Sequence, residues 1–210
     1  MTKTKKKSNG NSFLGTLAAL IILCVVLTIV SDKFLTYNNL MSVLKQTTFT
    51  ALLSTGMLLC LITAGIDLSV GANATFCACI CGMLVKGGMT NSFVLIVIAI
   101  VAGTLIGLIN GLLLTRLHLP HPFVSTLGMK NFLWGASLLV VSSQMVSGFP
   151  DGVMALGSAT IGGFPVSFII VVVIYVIMHI LLTRTSLGRS IYCAAVSYTH
   201  LRAHETDQYL

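Results

Sequence analysis

Apolar residues run along this chain in long blocks separated by short polar breaks. Largely apolar stretches lie near residues 13–30, 92–114, 123–141 and 164–182, and a longer one extends from residue 49 to 85. A helix needs roughly 17–25 such residues to cross the hydrocarbon core of a bilayer. The longest stretch therefore predicts two crossings, and the chain as a whole predicts about six.

The natural break in the longest stretch is the string Gly-Ile-Asp-Leu-Ser-Val-Gly at residues 65–71. If both helices stop at this string, each keeps only about 16 residues, which is short for a full crossing. We therefore expect a broken helix whose interruption lies within the thickness of the membrane.

Two polar segments lie between the apolar blocks. Residues 34–45 place apolar side chains at helical spacing beside a tyrosine, which predicts a short helix in the membrane interface with Asn38 or Asn39 as its N-cap. Ser142–Gly163 is rich in Gly and Ser and contains Pro150, which predicts an external loop.

Composition agrees with a lipid environment. Hydrophobic residues make up 56% of the chain and charged residues only 8%, against roughly 25% charged residues in an average soluble domain. So few charges cannot cover a water-exposed surface, whereas a bilayer can cover apolar helix faces. The predicted fold class is all-α, a polytopic transmembrane helical bundle.

The basic residues predict the orientation of the chain. If the N-terminus is cytoplasmic, the cytoplasmic side of the membrane also holds Arg116, Arg184 and Arg189. This agrees with the positive-inside rule. Lys130 lies within the fifth span and is the exception. Nucleic-acid binding and a secretory signal peptide are weaker explanations of the basic N-terminus. The chain has no nucleic-acid-binding motif, and no signal-peptidase site follows Val30.

Three regions follow from this pattern. Residues 1–12 are a basic cytoplasmic N-terminus, and residues 13–196 are the transmembrane domain. Residues 197–210 form a polar tail in which hydropathy falls abruptly. We expect this tail to be foreign to the native protein and the transmembrane domain to be incomplete.

Enzyme motifs are absent from the sequence. It contains no His-Glu-x-x-His, no Gly-x-Ser-x-Gly and no P-loop, so we expect no ATPase site, catalytic residue or cofactor of its own. The run Cys77, Cys79 and Cys81 does not predict a metal site. On a helix Cys79 points away from the other two, so the three thiols cannot converge on one ion.

Asp67 is the most informative single residue, because an ionisable side chain at membrane depth is costly unless something compensates it. It can cap the next helix by accepting a hydrogen bond from the backbone N–H of Ser69 or Val70. Alternatively, Asp67 and Ser69 line the path of a solute, since interrupted spans often mark such sites. The two roles do not exclude each other, and the sequence leaves both open.

Small residues recur every four positions along the fourth apolar block, which predicts a seam where a neighbouring helix packs closely. Asn110 lies beside this strip and can hydrogen-bond across the contact or touch solute. The strip consists of Ala99, Gly103, Gly107 and Gly111.

Several of these strings resemble the ribose-type ABC permeases, which also serve xylose, arabinose, galactose and autoinducer-2 uptake. The resemblance covers about Phe34–Val196. Its most specific piece is Gly65–Ala72, close to that family's hallmark string. The others are Asn110–Leu113, Pro122–Met129, which looks like the family's Pro-Phe-Ile-Val-Thr-Leu-Gly-Met, and Gly188–Tyr192.

The resemblance implies a permease subunit of the bacterial inner membrane that imports a monosaccharide or related solute. Its partners would be a second permease subunit, identical or different, a separate ABC ATPase, and an extracytoplasmic solute-binding protein. It also implies that a cytoplasmic helix containing Gly188 and Arg189 couples the ATPase to the spans. The sequence cannot name the solute.

Two departures from the family pattern matter. The family's Arg-Gly pair after Met129 is replaced by Trp134-Gly135, and the pattern breaks off after Val196. Two alternatives remain open: a branched-chain amino-acid permease of the same superfamily, and a secondary transporter or channel that works without ATP.

Overall fold

The computed structural model describes residues 10–63, 65–116 and 122–194. The basic residues before residue 10 and the predicted foreign tail lie outside these ranges. Within them the chain forms α-helices and one small β-hairpin. The helices are α1 (Gly10–Val30), α2 (Tyr37–Ile62), α3 (Val70–Lys86), α4 (Ser92–Arg116), α5 (Pro122–Val140), α6 (Asp151–Ser158), α7 (Val166–Arg184) and α8 (residues 186–194); the strands are β1 (Thr160–Ile161) and β2 (Phe164–Pro165).

Three helices in the described ranges are long and apolar enough to cross a bilayer: the Phe13–Val30 part of α1, then α4, and α7. Helix α3 is apolar but has only 17 residues. Helices α2 and α5 carry more polar side chains and do not reach the same hydropathy. The all-α membrane fold is confirmed, whereas the number of crossings stays a prediction.

The predicted interfacial helix at residues 34–45 is wrong, because α2 runs unbroken from Tyr37 to Ile62. Neither Asn38 nor Asn39 is the N-cap. The helix begins at Tyr37 and Thr36 is in the N-cap position, since the carbonyl of Thr36 accepts the first helical bond from the Leu40 N–H at 3.0 Å. The physical reason is that no Gly or Pro interrupts the chain between Thr36 and Gly56, so nothing ends the helix there.

The chain divides into two compact units, residues 1–44 and 45–210, with the boundary inside α2. In the first unit a turn follows α1, and the Thr36 hydroxyl donates to the Lys33 carbonyl at 2.8 Å. In the second unit α3 packs against both α5 and α4. Helix α3 is thus the central element of that unit.

Small and thiol side chains make the contact between α3 and α4. Cys77 and Cys81 are buried on one face of α3. The Cys81 thiol lies 3.4 Å from the carbonyl oxygen of Leu95 on α4. A β-carbon built at Gly103 would lie 3.6 Å from the Cys77 sulfur, so the α4 backbone approaches α3 closely there.

The segment Ser142–Gly163 is not simply a loop, which corrects the prediction. It contains α6, and β1 pairs with β2 in an antiparallel hairpin whose turn uses left-handed Gly162 and Gly163. Pro150 precedes α6, and Asp151 in its first turn favours the helix by facing the positive end of its dipole. The segment also packs on the helices, because Val146 occupies the space that a side chain at Gly82 would need.

Candidate solute path at the broken helix

The break between α2 and α3 lies where the sequence predicts it. Helix α2 ends at Ile62 and α3 begins at Val70, and residues 65–69 are not helical. The flanking helices differ in length more than expected, because α2 has 26 residues and α3 has 17. The break therefore separates one full-length helix from one short helix.

Asp67 shapes the start of α3. Its Oδ1 accepts a hydrogen bond from the Ser69 backbone N–H at 2.8 Å and another from the Ser69 hydroxyl at 2.6 Å. This is a local turn of the kind that Asp side chains favour. The Ser69 carbonyl then accepts from the Asn73 N–H at 2.8 Å, which starts the helix. The predicted contact between Asp67 and the Ser69 N–H is present, but the N-cap of α3 is Ser69, and no side chain makes a cap bond there. Asp67 therefore orders the turn before the helix and does not cap it.

Two neighbouring helices hold the break in place. Asn110 on α4 donates from Nδ2 to the Ser69 hydroxyl oxygen at 3.0 Å. Thr126 on α5 donates its hydroxyl to the Ile66 carbonyl at 3.0 Å. Ser69, Asn110 and Thr126 are all buried, at 3%, 6% and 5% exposure. The non-helical backbone is thus supported by protein groups, as irregular backbone at membrane depth must be.

The structure brings the predicted residues Asp67, Ser69 and Asn110 into one hydrogen-bonded chain. Sequence reasoning missed Thr126, which lies in the Pro122–Met129 string. A signal was present, because a hydroxyl in a largely apolar helix must find a partner.

A cavity of about 170 Å³ lies beside this network. Asn110 precedes Arg116 by six positions in the sequence, about 9 Å along the helix at about 1.5 Å per residue. The cavity is therefore nearer the Arg116 end of α4 than the Ser92 end. Its lining residues are Cys60, Thr63, Gly65, Ile66, Asp67, Gly107, Asn110, Gly111, Leu114, Pro122 and Thr126.

The strip of small residues on α4 has two environments. Gly103 lies against α3, and its carbonyl accepts from Asn73 Nδ2 at 3.1 Å. At Gly107 and Gly111 no atom of the described residues lies within 4 Å of the place that a β-carbon would take, and both glycines line the cavity. Packing of these two glycines against a neighbouring helix stays a prediction.

A larger cavity of about 640 Å³ is bordered by α2, α3 and α4 and by the segment around Phe149. Its walls are almost entirely apolar. The polar side chain it contains, Asn73, already donates to Gly103. The smaller cavity offers more convergent polar groups, so it is the better candidate for a polar solute.

The predicted coupling residues lie at a sharp junction between α7 and α8. Thr185 interrupts the helix, and its hydroxyl oxygen accepts from the Gly188 N–H at 3.2 Å. A side chain at Gly188 would collide with the backbone carbonyls of Leu181 and Leu182. Glycine is therefore required by the close approach of α8 to the end of α7. Arg189, the next residue, is exposed.

Comparison with known proteins identifies the family. A profile of the family described as the permease component of the branched-chain amino acid transport system matches residues 39–200. The chain belongs to this permease family. Its location is accordingly the bacterial inner membrane, in agreement with its apolar spans. No solved structure matches this permease significantly.

The curated relatives of this permease are named for sugar and signal import. It is 31% identical over 192 residues to the D-allose transport system permease protein AlsC of Escherichia coli K12, covering 90% of this chain and 59% of that protein. It is 33% identical over 182 residues to the ribose import permease protein RbsC of Bacillus subtilis 168, covering 85% of this chain and 56% of that protein. The autoinducer 2 import system permease protein LsrC of Photorhabdus laumondii is 29% identical over 188 residues, covering 89% of this chain and 56% of that protein. This permease thus spans less than three fifths of the length of these relatives.

Proposed function

We propose that this permease is the membrane-spanning subunit of a bacterial ABC importer, and that it forms the translocation path for a monosaccharide or related neutral solute. The observation that carries the proposal is the hydrogen-bonded chain of Asp67, Ser69 and Asn110 beside a cavity in an otherwise apolar helix assembly. Interrupted helices with polar groups at the break are typical of substrate sites in transporters.

The polar groups at the break argue for a role in transport as well as in structure. The turn before α3 needs only the Asp67 carboxylate and the Ser69 N–H. Asn110 is not needed for that turn, yet it is buried in the same place, and its Oδ1 has no partner among the described residues. A buried acceptor that is left open is costly in a purely structural network. A solute path accounts for it.

The partners in this proposal are an ABC ATPase on the cytoplasmic side, an extracytoplasmic solute-binding protein and a second permease subunit. The exposed face of α8 supports ATPase docking. Leu187, Arg189 and Tyr192 are all exposed on this helix. The bend at Thr185 and Gly188 fixes the direction in which α8 leaves α7, so a push on α8 is passed to a spanning helix.

Two other functions compete with this one. A branched-chain amino-acid permease fits the family description, but the relatives named above import allose, ribose and autoinducer 2. A secondary transporter or channel would move solute without ATP. No particular observation favours it over the importer.

The test is uptake in membrane vesicles that contain this permease, its ATPase and its binding protein. We expect labelled D-ribose or D-allose to accumulate only with ATP and with the binding protein present. Accumulation of leucine in place of the sugars would favour the amino-acid permease. Sugar uptake without ATP would favour a secondary transporter.

A further inference from the structure

Lys130 is a charged residue that the proposed function does not use. The apolar stretches of the sequence contain one acidic residue, Asp67, and one lysine or arginine, Lys130. A charged side chain at membrane depth is costly, and such side chains usually face the interior of the helix assembly or pair with one another. Two opposite charges that are so rare in the chain are expected partners if the fold brings them together.

The fold brings α5 against the break that contains Asp67. Helix α5 packs on α3, and Thr126 donates its hydroxyl to the Ile66 carbonyl at 3.0 Å. Ile66 is the neighbour of Asp67 in the chain. Lys130 follows Thr126 by four positions, so the two residues lie on the same side of α5. Lys130 is thus about 6 Å along the helix, at about 1.5 Å per residue, from a direct contact with the break.

Lys130 also belongs to the packed side of α5. Thr126, Leu133 and Ser137 are buried, and Lys130 lies among them at helical spacing. Lys130 itself is half-buried, whereas the next residue, Asn131, is exposed. The burial pattern therefore turns Lys130 toward neighbouring protein groups and Asn131 away from them.

The two side chains have the length and the free acceptor that an ion pair needs. A long side chain on a helix extends back over the preceding turn, which for Lys130 is the turn of Thr126. The four-carbon stem of lysine spans about one helical turn of about 5.4 Å. Both hydrogen bonds from Ser69 go to Oδ1 of Asp67. Oδ2 takes part in neither bond, so it is the acceptor for the ammonium group.

We propose that Lys130 is the counter-ion of Asp67, and that the two charges form a neutral pair at the broken helix. The proposal deepens the proposed function and rests on it, because Asp67 belongs to the proposed solute path. Lys130 is then a positioning residue, which acts on the solute through Asp67. A neutral pair suits a neutral solute, since an unpaired carboxylate at membrane depth attracts cations.

Lys130→Met is the first test, because methionine has an unbranched side chain without the charge. If Lys130 has no ionic partner, the substitution should leave stability unchanged or raise it, since a charge in an apolar helix is costly. If it pairs with Asp67, the carboxylate loses its counter-ion. We then expect the thermal midpoint of unfolding in detergent to fall by at least about 4 °C. An unchanged or higher midpoint overturns the proposal.

The matched control is Lys86→Met, which makes the same substitution at the exposed end of α3. It should change the midpoint by less than about 1 °C, because an exposed lysine contributes little to stability. An equal fall for Lys86→Met and Lys130→Met would mean that the loss of any lysine has this effect, and it would overturn the proposal.

A double variant decides whether Asp67 is the partner. Asp67→Asn in the Lys130→Met background removes the unpaired charge, so it should recover at least about half of the lost midpoint. Asp67→Asn alone should cost less than Lys130→Met, because an unpaired lysine can extend toward the interface and the short aspartate cannot. If Lys130→Met does not accumulate in membranes, recovered abundance of the double variant gives the same reading. A double variant no better than Lys130→Met overturns the proposal.

The position of the cation is tested by two further variants. Lys130→Arg keeps the charge and should keep the midpoint near that of the unaltered chain. Adding Asn131→Lys to Lys130→Met returns a cation to α5, but about 100° around the helix. That cation should not restore the midpoint. Equal rescue by both variants would show that any cation on α5 suffices, and it would overturn the pairing.

Uptake separates the pair from the proposed function. In vesicles with the ATPase and the binding protein, uptake of labelled D-ribose or D-allose per permease should fall at least about fivefold for Lys130→Met and persist for Lys130→Arg. The double variant should regain stability without uptake, because Asp67 itself is needed. Recovery of its uptake would overturn the positioning role. The midpoints need no transport, so the expected midpoints with no sugar uptake even by the unaltered chain would count against the proposed function alone.

Discussion

Replacing Ser69 with alanine removes the hydroxyl that links Asp67 in the break to Asn110 on α4. The Ser69 hydroxyl donates to Asp67 at 2.6 Å and accepts from Asn110 at 3.0 Å. The residue is 3% exposed, so water cannot readily take the place of the lost hydroxyl. The Ser69 backbone N–H still reaches Asp67, and the turn before α3 is retained. The substitution therefore isolates the side-chain network.

The expected loss of stability can be worked out from these two bonds. A hydrogen bond to a charged group contributes about 1.5–3 kcal/mol, and a buried donor left without a partner costs about 1–3 kcal/mol. Interhelical hydrogen bonds in membranes fall toward the lower values, because the unfolded chain finds other partners in lipid. We expect Ser69→Ala to lower the free energy of unfolding by roughly 2–4 kcal/mol.

The matched control is Ser54→Ala, which removes the same hydroxyl from an exposed position. Ser54 donates to the Thr50 carbonyl of its own helix, so its loss should change stability by less than about 0.5 kcal/mol. Unfolding of both variants in mixed micelles can be followed by the fluorescence of Trp134. Equal effects of the two substitutions would refute the network as a source of stability.

A double-mutant cycle with Asn110→Leu sharpens this test. Once Asn110 no longer needs an acceptor, removing Ser69 should cost less than it does alone, with a coupling energy of about 1 kcal/mol. Strictly additive losses would mean that the 3.0 Å contact contributes no coupling.

Three further outcomes are expected. Gly188→Ala should lower uptake, and it should lower the free energy of unfolding by about 1–3 kcal/mol, because the new side chain meets backbone carbonyls at the bend. Unchanged uptake would show that the bend does not take part in coupling. Gly82→Ala should destabilise the chain because its side chain would lie 2.6 Å from Val146, whereas Gly56→Ala, with open space around it, should be neutral or stabilising by thermal unfolding. A cysteine at position 151, in place of Asp151, should react with impermeant reagents only from outside the cell. Labelling only from the cytoplasm would show that the predicted topology is inverted.

The parts of the fold that follow from local chemistry could be predicted from the sequence. The break at residues 65–71 was predictable because one carboxylate and two glycines interrupt an apolar block. The Asp67 contact with the Ser69 N–H was predictable because Asp favours that turn locally. Both features depend on residues that are neighbours in sequence.

Contacts between distant segments could not be predicted in the same way. The contact of Thr126 with the break joins residues that are 60 positions apart. The start of α2 was misjudged because a change from polar to apolar residues marks a change of environment and does not end a helix. The hairpin after α6 was missed because its strands have only two residues each, too few to show alternation.

In the structure Asp67 lies both in the turn before α3 and on the wall of the cavity. The carboxylate accepts from the Ser69 N–H without capping the helix, and it lines the cavity with Asn110. The path role of these residues and the coupling role of Gly188 and Arg189 remain predictions. Functional variants can test them.

The most direct test of the central claim compares uptake with membrane abundance for Asp67→Ala. Labelled sugar uptake, driven by ATP in vesicles with the ATPase and the binding protein, is divided by the amount of permease in the membrane. We predict that uptake per permease falls at least about tenfold for Asp67→Ala, because the cavity loses its charged acceptor. Asp67→Asn, which keeps the acceptor for the Ser69 N–H, should show a similar loss of uptake at normal abundance. Uptake that falls only in proportion to abundance in both variants would contradict the account and leave Asp67 with a role in the turn before α3 alone.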